Sequence, residues 1–316
     1  LKTLHACKHH TINDLIVGGG VAANQAFMEA MNQAATVMVS IEELNRQAGK
    51  AIAKITGAEA GFVTSGAAGG LVLQAAACVA GSDPVKMAQL PDTTGLKNEV
   101  LIHNSHRFPY AQLYRAPGTK LVGFGDGRRC HPWQLEGAFT DRTAAVAYVL
   151  APFISRRALT LEQVCEIAHA RDVPVIVDAA GTIPPRANLR RYVSEGADMV
   201  IYSGGKGVRG PQGTGILCGR RDLISSAALQ MLDMDDHFEL WNPPGNLIDK
   251  SRLPGMPRHG IGRGLKVSKE EVAALLAALD LFVSDGYAEE ASRAREQLEG
   301  IIVGLDESPV TCELEE

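Results

Sequence analysis

A three-layer α/β fold, with a mostly parallel sheet of seven strands between helices, is what the apolar pattern of this chain predicts. Seven short β-like runs recur along it, most of them continuously apolar rather than alternating, and longer helical patterns lie between several of them. Continuous apolar strands are buried on both faces, and strands that alternate with helices build parallel sheets with helices on either side. A smaller α+β domain is expected to follow at the C-terminal end.

Residues 24–55 open the described order with apolar residues at helical spacing, and Ser40 with Glu43 has the pattern of a capping box for a second helix. The β candidates are GFVTS (61–65), EVLIH (99–103), KLVGF (120–124), AAVAYVL (144–150), VPVIVD (173–178), DMVIYS (198–203) and TGILCG (214–219). AAGGLVLQAAACVAG and TLEQVCEIAHARD read as helices between them. A Pro/Gly/His-rich stretch, residues 241–264, then separates this unit from a helix that begins near Ser268, where Ser-Lys-Glu-Glu again has the capping-box pattern. The expected organisation is an N-terminal segment over 1–40, a large domain over 41–245, and a linker with the start of a small domain over 246–316. The chain opens at Leu1 and stops at CELEE as an alternating, strand-like run begins, which reads as a natural chain lacking both ends.

At 316 residues, with 46% hydrophobic and 21% charged residues, the composition is that of an ordinary globular protein. A net charge of −5 without blocks of like sign offers no footprint for a nucleic-acid backbone. The six cysteines (Cys7, Cys78, Cys130, Cys165, Cys218, Cys312) are far apart and form no CxxC pair, so they read as reduced thiols of a cytoplasmic protein, with neither a zinc site nor a disulfide framework. Neither a membrane span nor a signal peptide is expected, because every apolar stretch is short and interrupted.

Open sheets of this class bind ligands at the carboxyl ends of their strands, and the polar punctuation of this sequence falls there. After GFVTS comes SGAAGG (65–70), small residues opening a helix. Such a turn brings backbone N–H groups and the positive helix end close to a phosphate, with Thr64 or Ser65 adding a hydroxyl; tight helix–sheet packing alone also demands small residues. Asp178 ends its strand, where it either caps the next helix or pairs with the protonated ring nitrogen of a heteroaromatic cofactor. Lys206 follows the next strand, in SGGKGVRGPQGTG. Alone it reads as a solvated charge; as a Schiff-base lysine it needs room and mobility, which the flanking glycines are expected to give. In this order, a phosphate cradle, an acid and a lysine are the parts that hold pyridoxal 5′-phosphate.

The run SGGKGVRGPQGTGILCG, with IVDAAGTIPP and EAGFVTSGAAGGLVLQAAACVAG upstream, resembles the fold type I (aspartate aminotransferase superfamily) pyridoxal-phosphate enzymes. It is most similar to the group that includes bacterial selenocysteine synthase and D-glucosaminate-6-phosphate ammonia lyase, and the likeness runs from about Gly18 to Leu279. The resemblance implies that Lys206 bonds the cofactor, that Asp178 pairs with its pyridine nitrogen, and that Ser65, Gly66, Ala67 and Ser203 cradle its phosphate. It makes His106, or alternatively His103, a candidate to stack on the ring, and Arg107, Arg209 and Arg263 candidate clamps for an anionic substrate. It also implies a homodimer or higher homo-oligomer, with Arg263 or the HNSHRF loop reaching a neighbour's cofactor. The expected activity is α,β-elimination with ammonia release from a small β-hydroxy amino acid or amino-sugar acid such as D-glucosaminate 6-phosphate. Racemase, aminotransferase or non-catalytic binding roles are the alternatives. Selenocysteine synthases carry an aspartate immediately before the lysine; here that position is Gly205, which disfavours selenium transfer.

Overall fold

The computed structural model describes residues 25–127, 129–151, 158–232, 237–257 and 259–304. The first part of the expected N-terminal segment, Cys7, Cys312 and the CELEE terminus lie outside these residues. Strands β1 (Ala60–Ser65), β2 (Glu99–His103), β3 (Lys120–Phe124), β4 (Thr143–Val149), β5 (Val175–Asp178), β6 (Met199–Ser203) and β7 (Thr214–Gly219) correspond one for one to the seven expected runs. They form one sheet in the order β1-β7-β6-β5-β4-β2-β3. Strands β2 to β6 pair in parallel, while β7 runs antiparallel to both β6 and β1, so β1 points the same way as the parallel set.

The helices are α1 (Gln25–Ala35), α2 (Ile41–Thr56), α3 (Gly66–Ala80), α4 (Pro84–Gln89), α5 (Gln112–Arg115), α6 (Pro132–Glu136), α7 (Leu161–His169), α8 (Asn188–Ser194), α9 (Arg221–Gln230), α10 (Lys269–Val283) and α11 (Ala288–Gly304). None of them is long and apolar enough to cross a membrane. Two cores lie on the two faces of the sheet. One joins α3, α5 and α9 to Phe62, Ile176 and Ile201; the other joins α2, α7, α8 and α10 to Val63, Val175, Val177 and Val200. Neighbouring residues of β1, β5 and β6 thus go to opposite cores, the period of two that a strand imposes, and both faces are dry because helices cover both.

One expectation meets a different outcome. Ser40 does cap α2, accepting from the Glu43 N–H at 3.3 Å, but the Glu43 carboxylate turns away to Arg46 and Gln47 instead of closing the box. Arg46 lies one turn on and offers a charged fork, a stronger partner than the Ser40 backbone N–H. The full capping box forms at Ser268 and Glu271. Helix α10, within 246–316, buries Val272, Ala274, Leu275, Ala278 and Leu279 in the same core as β6 and β7. Its apolar stripe packs on the sheet.

Packing between α2 and β1 is at backbone contact. A Cβ on Gly49 would collide with the carbonyl oxygen of Gly61, and one on Gly61 with the side chain of Ile52. Gly49→Ala gains about 1 kcal/mol of helix propensity and meets an overpacking cost of about 1–3 kcal/mol against an immovable backbone atom. Net destabilisation is expected; a urea midpoint equal to or above the parent's would show that α2 slides freely on β1.

Candidate active site

Sheet register brings the key side chains to one edge. Asp178 pairs with Ile201, Ser203 with Gly215, and Ser65 with Thr214, so Ser65 and Ser203 flank the first residues of β7 at the carboxyl edge where Asp178 also ends its strand. Following the alternation of β5, Asp178 faces the α3 side, as Ile176 does. The helix that opens at Gly66 and the carboxylate therefore share one face of the sheet.

The first turn of α3 suits an anion. It has no acidic residue and no side-chain cap from Ser65, and Ser65, Gly66 and Ala67 are all partly open to solvent. The orphan N–H groups and dipole of a helix start are then available to a phosphate. The N–H of Gly66 is spent, however, on the carbonyl of Gly213 at 2.8 Å. What Gly66 brings is its left-handed φ of 67°, and the free donors begin at Ala67. Gly69, which the sequence reading passed over, has its own part: a Cβ there would lie 2.6 Å from Ser65 Oγ, so glycine makes room for the hydroxyl over the turn.

Asp178 is 6% exposed, and its Oδ1 accepts the Ala180 N–H at 3.0 Å. Among the described residues no salt bridge neutralises it. Burial pushes its carboxyl above the ordinary aspartate range, opposed by the Ala180 N–H and by the charge of Lys206. A buried carboxylate with one hydrogen bond and an open oxygen fits a cationic ring nitrogen, whose charge repays the desolvation.

Lys206 is exposed, and its Nζ forms no hydrogen bond or ion pair among the described residues. A Cβ on Gly181, in the turn after Asp178, would be 3.9 Å from that Nζ, so the amine stands over the Asp178 turn. The loop that carries it is tied by backbone hydrogen bonds. Gly204 N–H donates to Thr214 O at 2.9 Å, Gly210 N–H to Gly204 O at 2.8 Å, and Arg209 N–H to Lys206 O at 2.9 Å. Nor do the flanking glycines leave space for a cofactor, as expected from sequence. Cβ atoms would collide with Thr214 Oγ1 at Gly204, with Gln212 Cα at Gly205 and with the Ile183 carbonyl at Gly207. They let the loop fold on itself. For Gly205 the consequence is direct: an aspartate before the lysine does not fit this backbone.

The remaining candidates separate. His103 caps the 3-10 turn Asn104–His106, its Nδ1 accepting the Ser105 N–H at 3.2 Å, while Nε2 faces the Arg129 carbonyl at 3.4 Å. His106 is buried beside the end of β4, with Nδ1 accepting the Val149 N–H at 3.3 Å and Tyr148 edge-on at 4.8 Å. Burial first, and the nearby His103 second, push its pKa down to about 3, so its ring is neutral. Stacking on a cofactor requires that the Asn104–His106 turn open one of its faces.

Arg107 lies over Gly123 on β3, at the far edge of the sheet. That is four strand spacings from β6, roughly 19 Å. Arg209, in the left-handed region at φ 58°, turns its guanidinium onto the Tyr287 ring at 4.8 Å, toward the C-terminal helices. Arg263 stays near the cradle: its 3-10 turn, Ile261–Leu265, packs on α3, with Leu265 Cβ 3.9 Å from the Cβ position of Gly69.

A helix start open to an anion, a buried carboxylate with an open oxygen and a lysine without a partner among the described residues share one sheet edge, and the chain is a fold type I pyridoxal-phosphate enzyme with pyridoxal 5′-phosphate as its cofactor. The chain belongs to the aminotransferase class-V family, whose model matches residues 29–234. It is 33% identical over 298 residues to a 5′-C-glycyluridine monooxygenase-decarboxylase of a Streptomyces species, covering 92% of this chain and 67% of that one. It is 30% identical over 284 residues to the D-glucosaminate-6-phosphate ammonia lyase of Salmonella typhimurium (strain 14028s / SGSC 2262), covering 88% and 67%. A solved structure of D-glucosaminate-6-phosphate ammonia-lyase superposes with a TM-score of 0.69 at 29% identity, over 82% of this chain and 63% of that one. The chain thus spans about two thirds of the length of these relatives. An L-seryl-tRNA(Sec) selenium transferase of Nitratidesulfovibrio vulgaris is 27% identical over 73% of this chain and 44% of its own.

The raised pKa of Asp178 makes a signed prediction. A carboxyl held above its ordinary range penalises the fold when ionised, fully above the raised value and not at all below the unfolded value of about 3.9. Asp178→Asn therefore raises the thermal midpoint of the cofactor-free protein at pH 7, with the gain fading in acid, while weakening cofactor binding. A lower midpoint at pH 7 would mean that Asp178 is a structural anchor instead.

Proposed function

We propose that this chain is the catalytic part of a pyridoxal-phosphate lyase that eliminates across Cα–Cβ of a small β-hydroxy amino acid or amino-sugar acid, D-glucosaminate 6-phosphate being the model substrate. The observation that carries the reading is the unbonded Lys206 amine over the turn of a buried, unneutralised Asp178. When bound, pyridoxal phosphate supplies an electron sink in conjugation with the substrate's α-carbon. The first turn of α3, with Ser65 and Ser203, holds the phosphate. Asp178 keeps the proton on the ring nitrogen, and Lys206 Nζ takes the proton from Cα once its amine is displaced. The β-hydroxyl leaves as water, and hydrolysis returns that water as ammonia is released, giving a 2-keto acid.

A second reading is supported by the 33% identity to the monooxygenase-decarboxylase. In it the same Lys206 and Asp178 serve a decarboxylation that consumes dioxygen. The products decide between the two: anaerobic release of ammonia with keto acid supports elimination, whereas dioxygen uptake with carbon dioxide release supports the second.

Lys206→Ala is expected to lose the visible, borohydride-fixable band and all turnover; a variant that keeps the band overturns the lysine assignment. Arg263, beside the cradle, is the proposed clamp for an anionic group of the substrate. Replacing it by alanine should raise KM for an anionic substrate roughly tenfold or more, the worth of a charge-assisted hydrogen bond. Unchanged KM would remove it from the site.

Homo-oligomerisation belongs to the same proposal and is supported by the exposed apolar run of Met28, Val37, Met38, Val39 and Ile41, of which Met38 is 95% exposed. Light scattering that gives a monomer at micromolar concentration would remove it. A reducing, cytoplasmic location is supported by the free thiols Cys78, Cys130, Cys165 and Cys218.

A further inference from the structure

Helix α3 reads GAAGGLVLQAAACVA, and apart from Cys78 a single polar side chain, Gln74, interrupts it. Gln74 is fully buried, and its Nε2 donates to the carbonyl of Val177 at 3.2 Å. That bond fixes the orientation of the amide, because only the NH₂ end can face a carbonyl. Oε1 then points away and has no partner. On α5, packed against α3, the buried hydroxyl of Tyr114 likewise has no partner, and after burial the negative charge of Asp178 is the next cause that raises its phenol pKa. Selection for stability alone would put leucine or methionine at position 74, since an apolar residue of that shape leaves no buried polar atom unsatisfied.

What Gln74 does reach is informative. Val177 immediately precedes Asp178, and α3 carries the phosphate turn at its start. Gln74 lies seven residues beyond Ala67, about 10 Å along the helix. We propose that Gln74 is a positioning residue that ties the phosphate-binding helix to the strand end carrying Asp178, fixing the carboxylate relative to the phosphate turn. The proposal rests on the reading of Asp178 as partner of the ring nitrogen. Within it, the stability forgone at position 74 is offset when the cofactor binds to two anchors already correctly spaced.

The test compares Gln74→Met, which keeps shape and removes the hydrogen bond, with the parent and with Asp178→Ala. Gln74→Leu provides the same comparison should the methionine variant not fold. Three quantities are measured: the thermal midpoint of the cofactor-free protein, the Kd for pyridoxal phosphate, and the pH midpoint of the bound cofactor's visible band. Expected for Gln74→Met are an unchanged or higher thermal midpoint, a Kd raised about fivefold, the net worth of one hydrogen bond, and a band midpoint shifted in the same direction as in Asp178→Ala, by less. If Asp178→Ala moves Kd and band while Gln74→Met moves neither, Gln74 is a packing residue and the proposal falls alone. If Asp178→Ala moves neither, the reading of Asp178 falls and takes this one with it.

Discussion

The site depends on one backbone hydrogen bond, from Gly66 N–H to Gly213 O, which joins the turn that opens α3 to the loop that carries Lys206. Its neighbourhood admits no slack. Thr64 Oγ1 donates to Gly66 O at 2.9 Å, and a Cβ on Gly215 would collide with that same carbonyl. The turn that opens α3 and the loop that carries Lys206 are thereby held together. From behind, α10 completes the bracing, with Leu275 Cδ1 lying 2.6 Å from the Cβ position of Gly204 and 3.2 Å from that of Gly210. A lysine that must exchange between bonding partners needs a free side chain, and a rigid backbone under it keeps the amine in place after each exchange.

Two buried aspartates at opposite edges of the sheet show what distinguishes a ligand site from a structural one. Asp198, just before β6, accepts from His169 Nε2 at 2.7 Å, from the Val175 N–H at 2.7 Å and from Arg220 at 2.9 Å. It pins the amino ends of β5 and β6 and the chain after β7, and so sets the register that delivers Asp178 and Ser203 to the other edge. Asp178 is about as buried, at 6% against 5%, yet has one hydrogen bond and no ion pair among the described residues. Burial is similar for both; among the described residues compensation is complete for one and left open for the other, where the proposed function would supply a ligand.

The sheet was legible in the sequence because burial on both faces leaves a local signature, an unbroken apolar run, and polar residues stand where such runs end. The placing of Asp178 at one strand end and of Lys206 just after another was legible for the same reason. What the glycines of the lysine loop do was not, because their constraint comes from Gln212, Thr214 and Ile183, the last more than twenty positions upstream of the lysine. The direction of Arg107 and Arg209 was equally hidden: a long side chain goes where tertiary partners such as Tyr287 stand, and no local pattern encodes that. Helix α9 leaves no such signature, because its residues are buried around much of the helix, which erases the amphipathic period that reveals α2 and α7. Gln74 did leave a trace, a lone carboxamide in an apolar helix, although its partner 103 positions away appears only in the fold.

Sterics at Gly205 narrow the chemistry further. With Gln212 Cα against it, the position before the lysine holds no side chain, so an acid there cannot share the proton traffic. His106 is neutral, with a pKa near 3, and its Nδ1 is occupied accepting a backbone N–H. His103 is committed in the same way to Ser105 and Arg129. What remains at this edge is Asp178, which in the proposed function would hold a proton on the ring nitrogen without moving it, and Lys206, whose amine has no bonding partner among the described residues. Under the proposed elimination, proton movement at the α-carbon would therefore fall to Lys206, and a second proton carrier at the β-carbon would come from the substrate, from water or from a neighbouring subunit.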